Sequence, residues 1–197
     1  LLNLAGLKDS IRNAEKMGIT TLTPPFGPSI VLGGWEVKLI EITSSYGVFA
    51  NEGVSIPPIN ILKIEDSTGH IIEEKKKDEM VVLEKETARL ISDILSDNQA
   101  RAPMFGFNSP LYFKDYQVAA KTGTTQDYRD AWTIGYTPSL VVGVWVGNNN
   151  NATMSPKPAA SLAGPIFHQF MERAMMKNPP EGFTPPNFIP SKEIPKE

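Results

Sequence analysis

The chain of 197 residues contains no cysteine, which excludes disulfides and every thiolate metal site. It has two histidines, His70 and His168, with no carboxylates spaced around them as ligands would be, so no metal centre is expected. No cofactor motif is present, and the glycine that opens a phosphate loop is missing upstream of the Lys121-Thr122 pair. Positive charge is scarce. Nineteen Lys and Arg stand against 22 Asp and Glu, with no basic stripe, which argues against nucleic acid as a partner. Long hydrophobic runs are lacking too. The apolar stretches fall well short of the ~20 residues that cross a bilayer, so any membrane anchor is expected outside this chain.

What is present suits one globular domain with a real core, at 41% hydrophobic and 21% charged residues. Helical spacing is read over 7–17, over 36–51 with Leu39, Thr43, Tyr46 and Ala50 on one face, and over 84–96. A fourth helix is expected over 159–176, with Pro165 in its first turn and Ile166, Phe167, Phe170, Ala174 and Met175 as its apolar face. Residues 59–72 read as a β-hairpin turning at Asp66-Ser67-Thr68-Gly69, and 101–114 as a loop broken by Pro103, Gly106 and Pro110. Three strand-like runs follow, at 116–120, 131–136 and 140–146, and their short connections favour an antiparallel meander. The fold class is therefore α/β in the α+β sense, an antiparallel sheet flanked by helices. From 178 onward, Pro179-Pro180, Pro185-Pro186, Pro190 and Pro195 predict a poorly ordered tail after a domain over 1–177.

The most informative string is Lys121-Thr122-Gly123, at the end of the first of those strands and continuing as Thr124-Thr125 into a polar turn. Lysine brings a point charge, threonine hydroxyls bring hydrogen-bond donors, and glycine lets a ligand approach the backbone. Such a set suits capture of a carboxylate-bearing substrate beside an oxyanion site. A bare tripeptide is weak evidence, whereas the strand–turn–strand context is specific.

The context also resembles a known family. Lys121-Thr122-Gly123, Leu32-Gly33-Gly34-Trp35-Glu36-Val37 and Ser45-Tyr46-Gly47-Val48-Phe49-Ala50-Asn51-Glu52-Gly53 are similar to strings of the penicillin-binding transpeptidases that cross-link bacterial peptidoglycan. So are Asp130-Ala131-Trp132, Gly135-Tyr136-Thr137-Pro138 and Val144-Trp145-Val146-Gly147-Asn148, in family order. The resemblance is to the C-terminal part of the transpeptidase domain in the bifunctional (class A) type, and it implies the penicillin-binding/serine β-lactamase-like fold. It further implies that Lys121 assists proton transfer, that Thr122 and Thr124 hold the substrate carboxylate with Thr125 beside them, that the Thr124 N–H is an oxyanion donor, and that Gly123 keeps the strand open. The implied partners are peptidoglycan stem peptides, their lipid-linked precursor and β-lactams. The implied location is the extracytoplasmic face of the bacterial membrane.

The family acts through an S-x-x-K serine, and no serine here has lysine three residues later. One S-x-N string, Ser96-Asp97-Asn98, occurs at the end of a helical pattern, where such residues cap backbone groups. The expectation is an N-terminally truncated domain lacking its nucleophile, with an unpaired strand edge that favours association. Loss of a nucleophile removes ~10⁶ in rate, so the chain alone is expected to be inactive. The alternatives are a serine β-lactamase or D,D-carboxypeptidase, which fits the flanking strings less well, and a non-catalytic module that binds wall peptides or β-lactams.

Overall fold

The structure, a computed structural model, describes residues 2–187. The chain opens with α1 (Leu2–Ala5) and α2 (Leu7–Lys16), then a proline-broken loop with one 3-10 turn at Pro28–Leu32. The next helix, α3 (Leu39–Ala50), starts later than its hydrophobic pattern, because Lys38 remains extended. Four short strands follow: β1 (Val54–Ser55), β2 (Lys63–Glu65), β3 (Ile71–Glu74) and β4 (Met80–Val81). β2 and β3 form the expected hairpin, and its turn is held by the Asp66 carboxylate. That group accepts from the Thr68 N–H, the Thr68 hydroxyl and the His70 N–H. β1 pairs with β4, a contact that two-residue strands do not announce.

Helix α4 (Lys85–Ser96) lies where it is expected, and α5 (Asn98–Phe105) is a correction. Residues 101–114 read as loop because of Pro103, yet Asp97 caps a helix there, its Oδ1 accepting from the Ala100 N–H at 2.9 Å. The helix ends two residues after Pro103, so the ring forfeits only one late bond. Arg101 also ties the segment down, donating to the carbonyls of Leu95 and Leu111.

The strands β5 (Ala119–Thr124), β6 (Asp130–Thr137) and β7 (Leu140–Gly147) make an antiparallel sheet in the order β5-β6-β7. Here the expectation shifts again. The Lys121-Thr122-Gly123 string lies inside β5, opposite Ile134, Thr133 and Trp132, while Tyr116–Val118 precede the strand. Among the described residues, β5 and β7 each have one sheet neighbour, which leaves the unpaired edge that was anticipated.

Strand alternation sorts the side chains onto two covers. Ile134 and Tyr136 face α3 and α4, where Tyr136 meets the rings of Tyr46 and Phe49 and its hydroxyl lies 3.1 Å from Ser92 Oγ. Burial pushes the Tyr136 phenol up to about 12, against the pull of the Ser92 hydrogen bond. Ala131, Thr133, Gly135 and Thr137 face the other way, onto α6 (Ala159–Lys177). Gly135 is required there: a Cβ would collide with the Phe167 ring and stand 2.7 Å from the Ala119 carbonyl. Helix α3 reaches the sheet the same way, since a Cβ on Gly143 would collide with Thr43 Oγ1. The Ser44-Ser45 pair is packing, with Ser45 buried and bonded to the Ile42 carbonyl.

The buried face of α6 differs from the one its large apolar residues suggest. Ala159, Ala160, Ala163, Gly164, Phe167, Met171 and Met175 are buried, whereas Ile166 and Phe170 are exposed. Small residues let the helix backbone settle on the sheet, and they leave little hydropathy trace. Pro165 sits in the helix interior, not its first turn. Over 179–187 the chain has no helix or strand. Phe183 meets the Tyr136 ring edge-on, and Asn187 clasps the Glu86 carboxylate with its N–H at 2.7 Å and its amide at 3.0 Å. The rest of that expected tail lies outside the described residues.

Candidate active site

The hydrogen-bond phase of β5 decides what its outer edge offers. The Thr125 N–H donates to the Asp130 carbonyl at 3.2 Å, so residues 125, 123, 121 and 119 face β6 in the ladder. In an antiparallel pair the intervening residues point the other way. The N–H and C=O groups of Thr122 and Thr124 therefore project from the free edge. Lys121 follows them, its Nζ donating to the Thr122 carbonyl at 2.7 Å. Among the described residues, an ammonium group and two N–H donors with no strand partner thus line one exposed edge, a set that can bind an anion or a developing oxyanion.

Side chains on this strand divide between the two faces of the sheet. Lys121 and Gly123 lie on the α3/α4 face opposite Ile134 and Trp132, whereas Thr122 and Thr124 lie on the α6 face opposite Thr133 and Ala131. Lys121, Gly123 and Thr124 are exposed, and Thr122 is half-buried. The Thr124 Oγ1 accepts from the Ala159 N–H at 3.1 Å, which joins the strand to the first residue of α6.

Thr125 is held differently from its neighbours. Its hydroxyl donates to Asp130 Oδ2 at 2.8 Å and accepts from the Asp130 N–H at 2.9 Å. The same carboxylate accepts from Trp145 Nε1 at 2.8 Å across the sheet. Asp130 thereby clamps both ends of the 125–130 connection, in which Asp127 and Tyr128 adopt positive φ. Trp132 and Trp145 are cross-strand partners with centroids 6.3 Å apart.

The remaining candidates resolve plainly. Ser96-Asp97-Asn98 joins α4 to α5: Ser96 Oγ donates to the Asp93 carbonyl and accepts from Gln117 Nε2, and Asp97 is the cap described above. His168 contacts the Pro110 carbonyl at 3.1 Å and Glu172 at 3.4 Å, and it stacks on Phe113. No group of three metal-ligating side chains occurs among the described residues. Neither Asp130 nor Ala159 carries a role that a motif marks. An aspartate opening an apolar strand five residues after a threonine is a usable signal for the first. A backbone N–H leaves none.

Several known proteins are similar to this chain. The family model described as penicillin binding protein transpeptidase domain matches residues 3–172. Penicillin-binding protein 1A of Aquifex aeolicus is 34% identical over 200 residues, covering 100% of this chain and 27% of that protein. Penicillin-binding protein 2D of Bacillus subtilis is 30% identical, over 93% of this chain and 27% of that protein. The chain thus spans about a quarter of the length of these relatives. Among solved structures, PonA1 of Mycobacterium tuberculosis in complex with penicillin V has a TM-score of 0.78 at 25% identity, covering 91% of this chain and 53% of that one. Penicillin-binding protein 1A of Haemophilus influenzae has the same fold, with a TM-score of 0.78 at 20% identity over 94% of this chain and 33% of that one.

Proposed function

The chain belongs to the penicillin-binding protein transpeptidase domain family, and from that premise we propose that it supplies one wall of a serine D,D-transpeptidase site that cross-links peptidoglycan. In the proposed reaction a serine oxygen attacks the D-Ala-D-Ala peptide carbonyl, forms an ester and releases D-alanine. An acceptor amine then attacks the ester and frees the serine. The serine comes from a segment of the same polypeptide that these 197 residues do not include, since none of them offers S-x-x-K. The whole protein would work at the extracytoplasmic face of the membrane.

The observation that carries this reading is the outward phase of Thr122 and Thr124 on an edge that also holds the Lys121 ammonium. An oxyanion donor must point where charge develops, and the Thr124 N–H is unpaired and preorganised by the strand. Lys121 contributes positive charge beside the incoming serine. The Thr122 and Thr124 hydroxyls lie together on the α6 face to receive the substrate or β-lactam carboxylate. Thr125, whose hydroxyl is already committed to Asp130, closes the connection instead. Removing one oxyanion donor typically costs ~10²–10³ in rate.

The test is intact mass after incubation with a reactive penicillin, on this chain and on the full-length protein. The full-length protein should gain one penicilloyl group and the 197-residue chain none. A stoichiometric adduct on the short chain would make one of its own serines the nucleophile and overturn the reading, as would an unmodified full-length protein.

A further inference from the structure

A threonine hydroxyl has one proton to donate and two lone pairs to accept with. At Thr124 one lone pair is already occupied by the Ala159 N–H, at 3.1 Å. The proton cannot point back at that donor, so it is directed off the end of α6, where Thr124 is exposed. Behind the bond stands a helix of 19 residues, whose N-terminal N–H groups carry partial positive charge. That field disfavours any rotamer which turns the hydroxyl proton toward the helix. Ala159 is itself buried and held by the sheet, so the donor is fixed in place. The hydroxyl is thus preset as an outward donor, ready for an anion.

We propose that the Ala159 N–H acts as a positioning group that fixes the donor direction of the Thr124 hydroxyl and so sets the preference of this site for acyl donors bearing a free carboxylate. The inference rests on the transpeptidase reading above, with Thr124 as a carboxylate donor. Ala159 touches no substrate and works only through Thr124.

The experiment measures second-order acylation of the full-length protein by a penicillin and by its methyl ester, which lacks the anionic carboxylate. Thr124→Val should lower the penicillin rate by about 10-fold or more, the range for one hydrogen bond to a charged group, and lower the methyl ester rate by a clearly smaller factor, since a neutral ester carbonyl accepts a weaker bond. Thr124→Ser should retain the wild-type ratio. Replacing the Ala159 amide by an ester, with L-lactic acid installed at position 159, removes the N–H without adding atoms. It should lower the penicillin-to-ester ratio by roughly 3- to 10-fold and have no further effect in the Thr124→Val background. Equal loss toward both acyl donors, an unchanged ratio, or an effect that persists with Val at 124 would overturn the proposal.

A second measurement stands independently of the backbone ester. In protein labelled with 15N-alanine, the Ala159 amide proton should shift when wild type is acylated by penicillin and stay in place when the Thr124→Val protein is acylated. An Ala159 resonance indifferent to acylation of wild type would refute the coupling. Failure of wild type to acylate at all would instead sink the transpeptidase reading.

Discussion

Replacing Asp130 by alanine tests the clamp that holds the end of β5. Its carboxylate accepts two bonds of 2.8 Å, from Trp145 Nε1 and from the Thr125 hydroxyl. A hydrogen bond to a charged group contributes ~1.5–3 kcal/mol when buried. Asp130, Thr125 and Trp145 are half-buried, so water replaces part of each lost bond, and the Thr125 N–H keeps its bond to the Asp130 carbonyl. The expected loss for Asp130→Ala is about 2–3 kcal/mol, or roughly 4–12 °C in Tm for a domain of this size. Asp130→Asn separates the two bonds. Its amide oxygen can still accept from Trp145, but its NH₂ forces the Thr125 hydroxyl to give up donating, so about 1 kcal/mol should be lost. Urea unfolding followed by far-UV circular dichroism measures both losses, and the indole N–H resonance of Trp145 reports its bond directly. That resonance should move upfield in Asp130→Ala and hold near its position in Asp130→Asn. An Asp130→Ala protein within about 0.5 kcal/mol of wild type would refute the clamp, because surface substitutions without a structural role fall in that range.

Gly135→Ala should cost about 1–3 kcal/mol, since its Cβ enters space held by the Phe167 ring. In a Phe167→Leu background the same change should cost measurably less, and a double-mutant cycle that finds pure additivity would contradict the packing described. The Tyr136 phenol, raised to about 12 by burial, should be the last of the five tyrosines to ionise when tyrosinate absorbance is followed with pH. Its folded value lies above the unfolded one near ~10, so the associated stability is complete below about 10 and is lost as pH rises through 12. Tyr136→Phe should remove that alkaline loss, at a cost of about 1 kcal/mol for the Ser92 bond.

Much of this architecture is written in periodicity. Helices α3 and α4 and the three strands of the meander carry strong apolar patterns, so their positions are legible to within a few residues. Three features were not, each for a physical reason. The proline in α5 reads as a breaker, but its damage depends on how soon the helix ends. The sheet-facing side of α6 opens with Ala159 and Ala163, packed on Ala131 and valuable for their small size, while Ile166 and Phe170 draw the eye and face outward. The hydroxyls of Thr124 and Thr125 have equal standing in the sequence. The alternation of side chains along the strand separates them, giving one to the helix end and the other to Asp130, while the hydrogen-bond phase of β5 turns the Thr124 N–H to the free edge. A site on a strand edge depends on such phase, which composition and spacing do not encode.

Helix α6 can also be regarded as a lever. Its 19 residues span ~28 Å, and the wedge of Phe167 against Gly135 is a fulcrum ~12 Å from Ala159. A tilt of about 3° around that point would move the Ala159 N–H by roughly 0.6 Å, more than a preorganised site tolerates. Met171 and Met175, fully packed on the opposite arm, are the counterweight that keeps the beam level. Softening that far end would therefore spoil alignment at Thr124 well before it unfolded the protein.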